Sequence, residues 1–339
     1  LRPDTVDPTL LRTKLVSDIH NRLGIPSLSA NYITLYINDE YMGLYVLTDS
    51  FKLSWVEFEY GEKDTTSLYK CDSSHLTKND CYCINENDEM EEDTTEWDEF
   101  INTLDNANSA SDIEDIFDID QFLTEMVIEF LIGGCDHYQE GHNYFIFKPK
   151  NGKWLYLSHD FDLDLSGKCS HPVYTMEEFL PDNNLINILI LQDPTRFNKI
   201  LQDVISKAFN PAILFPHIDE LKTLIKPYIE KDKTYDENGH YPGRLNPNVD
   251  DFSSLEEWEA NSEFTTVKSF NIYSFGLKYW ILIRYRYICR TYKMECDPIY
   301  MDNNYEYSID KDVEYKGRIY YYPSMYKYIE EYGEQLRRK

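Results

Sequence analysis

The residues best suited to chemistry lie within residues 133–167, an acidic stretch near the middle of the chain. Asp136 follows a pair of glycines, Asn143 comes seven positions later, and Asp160 and Asp162 stand near the end of the stretch. Phosphoryl transfer needs carboxylate and amide oxygens that hold a divalent cation on the nucleotide phosphates. It also needs a carboxylate outside the metal shell to receive the proton of the acceptor hydroxyl. An Asp, an Asn and an acidic pair in this order therefore favour metal-assisted phosphoryl transfer.

A hairpin is the element that has to position these side chains. Residues 143–158 contain two short apolar runs joined by an Asn-Gly turn, which is typical of a tight hairpin. Because a tight hairpin brings the ends of its strands together, we expect Asn143 to lie beside Asp160, with Asp136 next to both. Taken alone, Asp136 after two glycines is also typical of a turn residue, and Asn143 of a strand end.

The spacing of three acids distinguishes this segment from an ordinary polar loop. Asp160, Asp162 and Asp164 alternate with apolar residues, so an extended segment would place all three on one face, where a cation would relieve their repulsion. A calcium-binding EF-hand loop is excluded, because its sixth position would be Leu165 rather than glycine and its twelfth His171 rather than glutamate. A glycosyltransferase with an Asp-x-Asp motif stays open as an alternative.

Charge and hydropathy exclude several classes of partner. The net charge is −28, from 61 acidic and 33 basic residues, so nucleic acid and anionic membranes are expected to be poor partners. No apolar run approaches the roughly 20 residues needed to span a bilayer. The chain begins at Leu1 rather than Met, and its first ten residues are not a signal peptide. We therefore expect a fragment whose targeting segment, if any, has been removed.

The seven cysteines favour disulfides over a metal centre. No pair has the Cys-x-x-Cys spacing and no histidines cluster with them, which disfavours a structural zinc site. Cys289 and Cys296 are spaced to bridge, and Cys71 can meet either Cys81 or Cys83 across a short polar loop. The odd count leaves at least one free thiol, and the pattern is compatible with an oxidising compartment.

Periodicity predicts a mixed set of elements around the acidic segment. A second hairpin is expected over residues 32–47. The polar, cysteine-containing residues 63–96 predict an inserted loop with little regular structure, and residues 232–261 predict a long loop. Helices are predicted over residues 7–23, 97–108, 119–131, 197–209, 216–231 and 270–292.

Short motifs occur along most of the chain in a distinctive order. They read Asp-Pro-Thr followed by Leu-Arg-x-Lys-Leu, Leu-Gly-Ile-Pro, Tyr-Ile-Asn-x-x-Tyr-x-Gly-Leu-Tyr, Leu-Tyr-Lys, the acidic segment, Asp-Pro-x-Arg-Phe, and a helix with Trp and Arg four residues apart. They occupy residues 7–15, 23–26, 36–45, 68–70, 136–162, 193–197 and 280–284. Together they make residues 1–295 resemble the CotH family, kinase-like proteins first associated with bacterial spore coats and also found in fungi. A fungal member is expected.

The resemblance implies a fold and a role for each site residue. The fold would be α+β and like that of an atypical protein kinase, with a small β-rich N-terminal portion and a larger, mostly helical C-terminal portion. Asp136 would be the catalytic acid-base residue and Asp160 the principal metal ligand. Asn143 and Asp162 would complete the ligand set.

Some family features are changed or missing in this chain. There is no Gly-rich phosphate loop, and the lysine that should contact the phosphates is not evident, so Lys70 and Arg2 are the candidates for nucleotide binding. Asp49 stands where a Glu is expected, and Asn38-Asp39 replaces an Asn-Gly turn.

The resemblance also implies an activity. We expect a secreted or cell-surface kinase that uses ATP with Mg²⁺ or Mn²⁺ and phosphorylates Ser or Thr of an extracellular or coat protein. The negative charge makes a basic acceptor an attractive hypothesis. A catalytically weak binding or adhesion module of the pseudokinase or invasin type is the alternative. The kinase-like domain is expected to span residues 1–296, followed by a Tyr-rich extension over residues 297–339.

Overall fold

A computed structural model gives the architecture of the chain. It describes residues 1–3, 6–90, 94–167, 171–242, 253–269 and 272–307. Helices and strands alternate irregularly along these ranges, which confirms the α+β class. Across them, every helix is too short or too polar to traverse a bilayer.

The N-terminal part holds the first helix and the first hairpin. Helix α1 (Arg12–Leu23) ends at Gly24 and is followed by β1 (Ala30–Ile37) and β2 (Glu40–Thr48), which pair antiparallel. Both predictions are confirmed, although the helix begins later than expected. The reason is that the Asp7 carboxylate accepts hydrogen bonds from the backbone N–H groups of Thr9 and Arg12, which holds the preceding residues in a turn.

A four-stranded antiparallel sheet forms the centre of the site-bearing half. Its strands are β3 (Leu68–Cys71), β4 (Cys83–Asn85), β5 (Tyr144–Phe147) and β6 (Leu155–Ser158), in the order β4-β3-β5-β6. The β5–β6 hairpin confirms the prediction. The expectation of little regular structure in residues 63–96 is wrong, because β3 is an interior strand and β4 an edge strand of this sheet. The sheet forms because β3 pairs with β5, which lies far along the chain, and local periodicity does not reveal such a pairing.

Each face of the sheet is covered differently. On one face, helix α2 (Leu53–Tyr60), which the sequence did not predict, packs Trp55 against Phe147. On the other face lie α3 (Thr95–Asn106), whose Trp97 stacks on Tyr69, and α4 (Ile119–Ile132), whose Phe122 contacts Tyr156. The side-chain amide of Gln121 in α4 donates a hydrogen bond to the backbone carbonyl of Tyr156 and accepts one from its N–H. These bonds pair backbone groups that the edge strand β6 would otherwise leave without a partner.

The C-terminal part is mostly helical and surrounds α4. Its elements are α5 (Met176–Phe179), α6 (Asn184–Ile186) with a following π-helical turn (Asn187–Leu191), α7 (Thr195–Lys207), α8 (Pro211–Asp232), α9 (Leu255–Ser262), β7 (Thr266–Ser269), β8 (Ile272–Phe275), α10 (Leu277–Thr291) and α11 (Pro298–Met301). Helices α4, α7, α8 and α10 bury their apolar faces in one large core.

Two predicted boundaries in this part are wrong. The long loop expected over residues 232–261 contains α9, whose start is fixed by reciprocal hydrogen bonds between Ser254 and Glu257. The helix expected over residues 270–292 begins only at Leu277, because the preceding residues pair with β7 as β8. Apolar residues in a short strand and in a helix start look alike in the sequence.

Disulfides and one buried arginine tie peripheral segments to the fold. Cys71–Cys83 joins β3 to β4, and Cys289–Cys296 closes the end of α10, so both anticipated bridges form, with Cys83 as the partner of Cys71. Arg286 of α10 donates to the carbonyl oxygens of Tyr300 and Asp302 at 2.6 and 2.8 Å. The beginning of the Tyr-rich extension therefore packs on the domain, and the part after Tyr307 lies outside the described residues.

Candidate functional site

The β5–β6 hairpin brings the predicted site residues together at one end of the sheet. Tyr144 pairs with Ser158, and the next backbone N–H, that of His159, donates to the carbonyl of Asn143 at 3.0 Å. The Asn143 side-chain amide donates to the carbonyl oxygen of Asp136 at 2.8 Å. Asp136, Asn143 and the segment that opens with Asp160 are therefore neighbours, as the sequence predicted.

Three of these residues have a backbone conformation that is rare outside glycine. The φ angles of Asp136, Asn143 and Asp160 are 67°, 53° and 72°. Asp and Asn enter this left-handed region more readily than other residues, but it still carries a conformational cost. Residues held in such conformations concentrate at functional sites, where the surrounding structure maintains them.

The acidic pair shares one basic partner. Arg2 contacts Oδ2 of Asp160 at 2.5 Å and Oδ2 of Asp162 at 3.2 Å, and its own backbone bridges Val46 of β2. Burial, together with the negative charge of Asp160, raises the pKa of Asp162 to about 6 in spite of Arg2. Two carboxylate oxygens thus converge on a single cationic group, and the guanidinium only partly compensates their charge.

The same donors suit a divalent cation. Within the described ranges, no three His, Cys, Asp or Glu side chains converge on one point. Mg²⁺ does not need such a cluster, because it keeps several waters and is commonly held by one or two carboxylates together with substrate phosphates. Asp160 and Asp162 with the amide oxygen of Asn143 make a hard oxygen set of this kind. The residues present therefore fit the ion that the fold family implies.

The third acid of the motif has a different environment. Asp164 is fully buried. Its carboxylate accepts a hydrogen bond from the backbone N–H of Cys135 at 2.8 Å and lies 3.1 Å from Nε2 of His137. Burial alone would lower the pKa of His137, but the Asp164 carboxylate outweighs it and raises this pKa to about 9. The prediction that all three acids share one face is wrong, because the chain turns after Asp160 instead of staying extended.

Asp136 is accessible and borders a row of polar side chains. Its side chain is 53% exposed, and its carboxylate lies 3.9 Å from Nδ1 of His142. The other ring nitrogen of His142 lies 3.8 Å from Asp72, which is ion-paired with Lys70 at 2.7 Å. An exposed carboxylate is accessible to a large partner, and a carboxylate of this kind can accept a proton.

A cavity of about 330 Å³ lies beside the acidic pair. The predicted nucleotide-binding residues Arg2 and Lys70 line it together with Asp160. The other predicted site residues, Asp136, Asn143 and Asp162, do not line it. Polar side chains such as Ser50 and Lys52 form part of the remaining wall, and one group of apolar and aromatic side chains in it suits a flat heterocycle. These are Leu28, Phe51, Phe145, His159 and Phe161.

Several residues that shape this site were not predicted from the sequence. Phe145 and His159 line the cavity, and burial lowers the pKa of His159 to about 4. Their signal was their place in the chain, because Phe145 lies two positions after Asn143 in the predicted hairpin and His159 directly precedes Asp160. The buried pair of His137 and Asp164 had no comparable signal, since only the tertiary fold brings them together.

Comparison with known proteins identifies the family. The model of the CotH kinase protein family matches residues 1–269, and the chain belongs to this family. The resemblance found in the sequence motifs is therefore confirmed.

The similar curated proteins come from the fungus Rhizopus delemar. Spore coat protein homolog 1 is 29% identical over 265 residues, which cover 70% of this chain and 43% of that protein. Invasin CotH7 is 28% identical over 264 residues, covering 70% and 44%, and invasin CotH3 is 26% identical over 268 residues, covering 69% and 44%. These matches support a fungal member, and they cover less than half of the length of each relative.

Proposed function

We propose that the chain transfers the γ-phosphate of ATP, with Mg²⁺ or Mn²⁺, to Ser or Thr of an extracellular or coat protein. The observation that carries this proposal is the meeting of Asp136, Asn143 and the pair of Asp160 and Asp162 at one end of a hairpin, beside a cavity lined by basic residues. Membership in the CotH family supports it, and so does an order of residues that matches the needs of phosphoryl transfer.

Each side chain has a defined role in this proposal. Asp160 and Asp162 would hold the metal, with the amide oxygen of Asn143, whose NH₂ group is already engaged by Asp136. The bound metal would neutralise the phosphate oxygens. Arg2 and Lys70 would donate to these oxygens from the cavity wall, which is the role of cationic side chains in related chemistry.

The transfer step needs one proton acceptor. The acceptor oxygen attacks the γ-phosphorus as the bond to the ADP oxygen breaks, and the hydroxyl proton passes to the carboxylate of Asp136. The exposure of Asp136 allows a protein substrate to reach it. The left-handed backbone at this residue and its hydrogen bond to Asn143 fix the position of its loop.

Domain limits and location belong to the same proposal. We assign residues 1–296 to the kinase-like domain and residues 297–339 to an extension. Secretion or display at the cell surface is supported by the names of the relatives, a spore coat protein homolog and two invasins. A basic acceptor protein is supported by the net charge of −28.

Transfer of labelled γ-phosphate to the protein itself or to casein tests the activity. With Mg²⁺ or Mn²⁺ we expect labelling by the wild type and a loss of about a hundredfold or more in Asp136→Ala and Asp160→Ala. Asp115→Ala, which changes an exposed acid outside the site, serves as the matched control. A wild type that is silent with both cations, or variants that label as well as the control, would contradict the proposal.

An adhesion or binding module without catalysis is the second candidate. Two relatives are named invasins, and in the structure Arg2 already forms ion pairs with both carboxylates of the acidic pair. Thermal unfolding with and without ATP and Mg²⁺ separates the candidates, because a ligand at a hundred times its dissociation constant stabilises the folded state by about 2.7 kcal/mol. Absence of any shift would favour the binding module.

A further inference from the structure

The edge strand β4 and the residue directly before it expose two large apolar side chains. Tyr82 is 63% exposed and Ile84 is 52% exposed, and no strand within the described ranges pairs with the outer edge of β4. Single exposed apolar residues are common, but two at alternate positions point to the same face and form a small patch.

The strand register connects the patch to the cavity. Ile84 pairs with Lys70, which pairs in turn with Phe145 on β5. Residues directly opposite each other in neighbouring strands project from the same face of a sheet. Ile84 therefore lies on the face that carries Lys70 and Phe145, both of which line the cavity. The patch and the candidate nucleotide site share one continuous surface.

A second row connects the patch to Asp136. The backbone N–H of Asp72 donates to the carbonyl of Tyr82 at 3.2 Å, which places these two residues opposite each other. His142 lies between Asp72 and Asp136, at 3.8 and 3.9 Å from their carboxylates. None of these side chains is buried, so the row from Asp136 to Tyr82 is open to a large partner.

We infer that this row, Asp136–His142–Asp72–Tyr82 with Ile84 beside it, is the docking surface for the acceptor protein. The inference rests on the proposed kinase function and names what its substrate looks like. The occupant is an extended segment that places its hydroxyl at Asp136, a basic side chain at Asp72 and an apolar side chain on Tyr82 and Ile84. Charge complementarity selects the basic residue, because Asp72 and Asp136 both face this row.

The geometry sets the spacing within the acceptor segment. Asn143, beside Asp136, directly precedes β5, and Tyr82 directly precedes β4, so about two strand intervals separate them. Strands lie about 4.8 Å apart and an extended chain advances about 3.3 Å per residue. The distance of roughly 10 Å corresponds to about three residues. The apolar residue should therefore stand about three positions from the acceptor hydroxyl, with the basic residue between them.

Binding of labelled peptides tests the surface without requiring catalysis. The probes are two fluorescein-labelled decapeptides, each with one serine. In one peptide a leucine stands three positions before the serine and in the other three positions after it, and in both an arginine lies between the serine and the leucine. Fluorescence anisotropy with the whole chain should show binding by at least one of them. The double variant Tyr82→Ser, Ile84→Ser should weaken this binding about tenfold, because it removes the apolar contact. Phe58→Ser, which changes an 83% exposed residue of α2, is the matched control.

The outcomes separate this inference from the proposed function. If the double variant and the wild type bind the peptides with equal affinity, the docking surface is overturned. The same holds if none of the peptides binds, or if peptides that lack the leucine and the arginine bind as well as those that contain them. Phosphate transfer to the bound peptide is measured independently. Binding that depends on Tyr82 and Ile84 without any transfer would support the surface and contradict the kinase activity.

Discussion

At the scale of residues, three acids with identical spacing have three different environments. Asp160 is partly exposed and ion-paired with Arg2, Asp162 is nearly buried with a raised pKa, and Asp164 is fully buried against His137. The sequence could predict that acids gather here. It could not predict which one turns inward, because Asp permits a left-handed φ without requiring it.

The inward acid provides a prediction about the loop that carries Asp136. Asp164 contacts the backbone N–H of Cys135 and the side chain of His137, the two residues that flank Asp136 in the chain. Asp164→Ala should lower the free energy of unfolding at pH 7 by about 3–5 kcal/mol, because it leaves His137 buried without its charged partner. Asp164→Asn should cost less, since its oxygen can still accept from the Cys135 N–H. Urea unfolding measures both values.

The control and the pH dependence of this prediction follow from the same contacts. Asp162→Ala, in the same segment but without a backbone donor, should change stability by about 1 kcal/mol or less. The pKa of His137 is raised from 6.5 to about 9, so its ion pair stabilises the fold fully below pH 6.5 and loses this effect as the pH rises through 9. The role of the ion pair between Asp164 and His137 would be contradicted if Asp164→Ala and Asp162→Ala lost the same unfolding free energy. It would also be contradicted if the loss in Asp164→Ala grew above pH 9.

At the scale of elements, local patterns predicted those helices and hairpins whose contacts are local. The two hairpins and the helices α1, α3, α4, α7 and α8 were found from periodicity and turn residues. Strands β3 and β4 were missed because four and three residues carry little periodic signal and their sheet forms with β5, far along the chain. Helix α9 was missed although its Ser-x-x-Glu start was readable in the sequence.

The disulfide between β3 and β4 gives a prediction at this scale. Cys71 and Cys83 are separated by 12 residues, and closing a loop of this length stabilises a protein by about 3 kcal/mol in the chain-entropy account. The double variant Cys71→Ser, Cys83→Ser should therefore lose about this amount of unfolding free energy. Cys81→Ser, which changes the free thiol of the same segment, should lose much less. Urea unfolding without reductant compares the three proteins, and equal stabilities would show that the bridge does not hold the sheet edge.

At the scale of the whole molecule, the candidate site is assembled from distant parts of the chain. Arg2 and Asp162, which contact each other, are 160 positions apart, and Lys70 reaches the same cavity from an interior strand. No local pattern predicts such contacts. Only the family resemblance, which orders motifs along the chain, indicated that these residues belong to one site.

The overall charge leads to a prediction about the whole fold. An excess of 28 negative charges repels itself more strongly in the compact state than in the unfolded chain. Raising the salt concentration from 0.01 to 0.15 M shortens the Debye length from about 30 to about 8 Å, so the repulsion should weaken. We expect a gain on the order of 2 kcal/mol, which corresponds to an increase of about 3 °C in the unfolding temperature of a chain of this length.

Calorimetry in sodium chloride and in potassium chloride measures this effect. Screening depends on ionic strength and not on the identity of a monovalent cation, so the two salts should give the same curve. An unfolding temperature that stays constant or falls would mean that ion pairs such as Lys278–Asp219 and Lys222–Glu263, which salt weakens, outweigh the net repulsion. A rise with both salts would show that the acidic excess is tolerated at the expense of stability. That in turn would favour a role for this charge in attracting a basic partner.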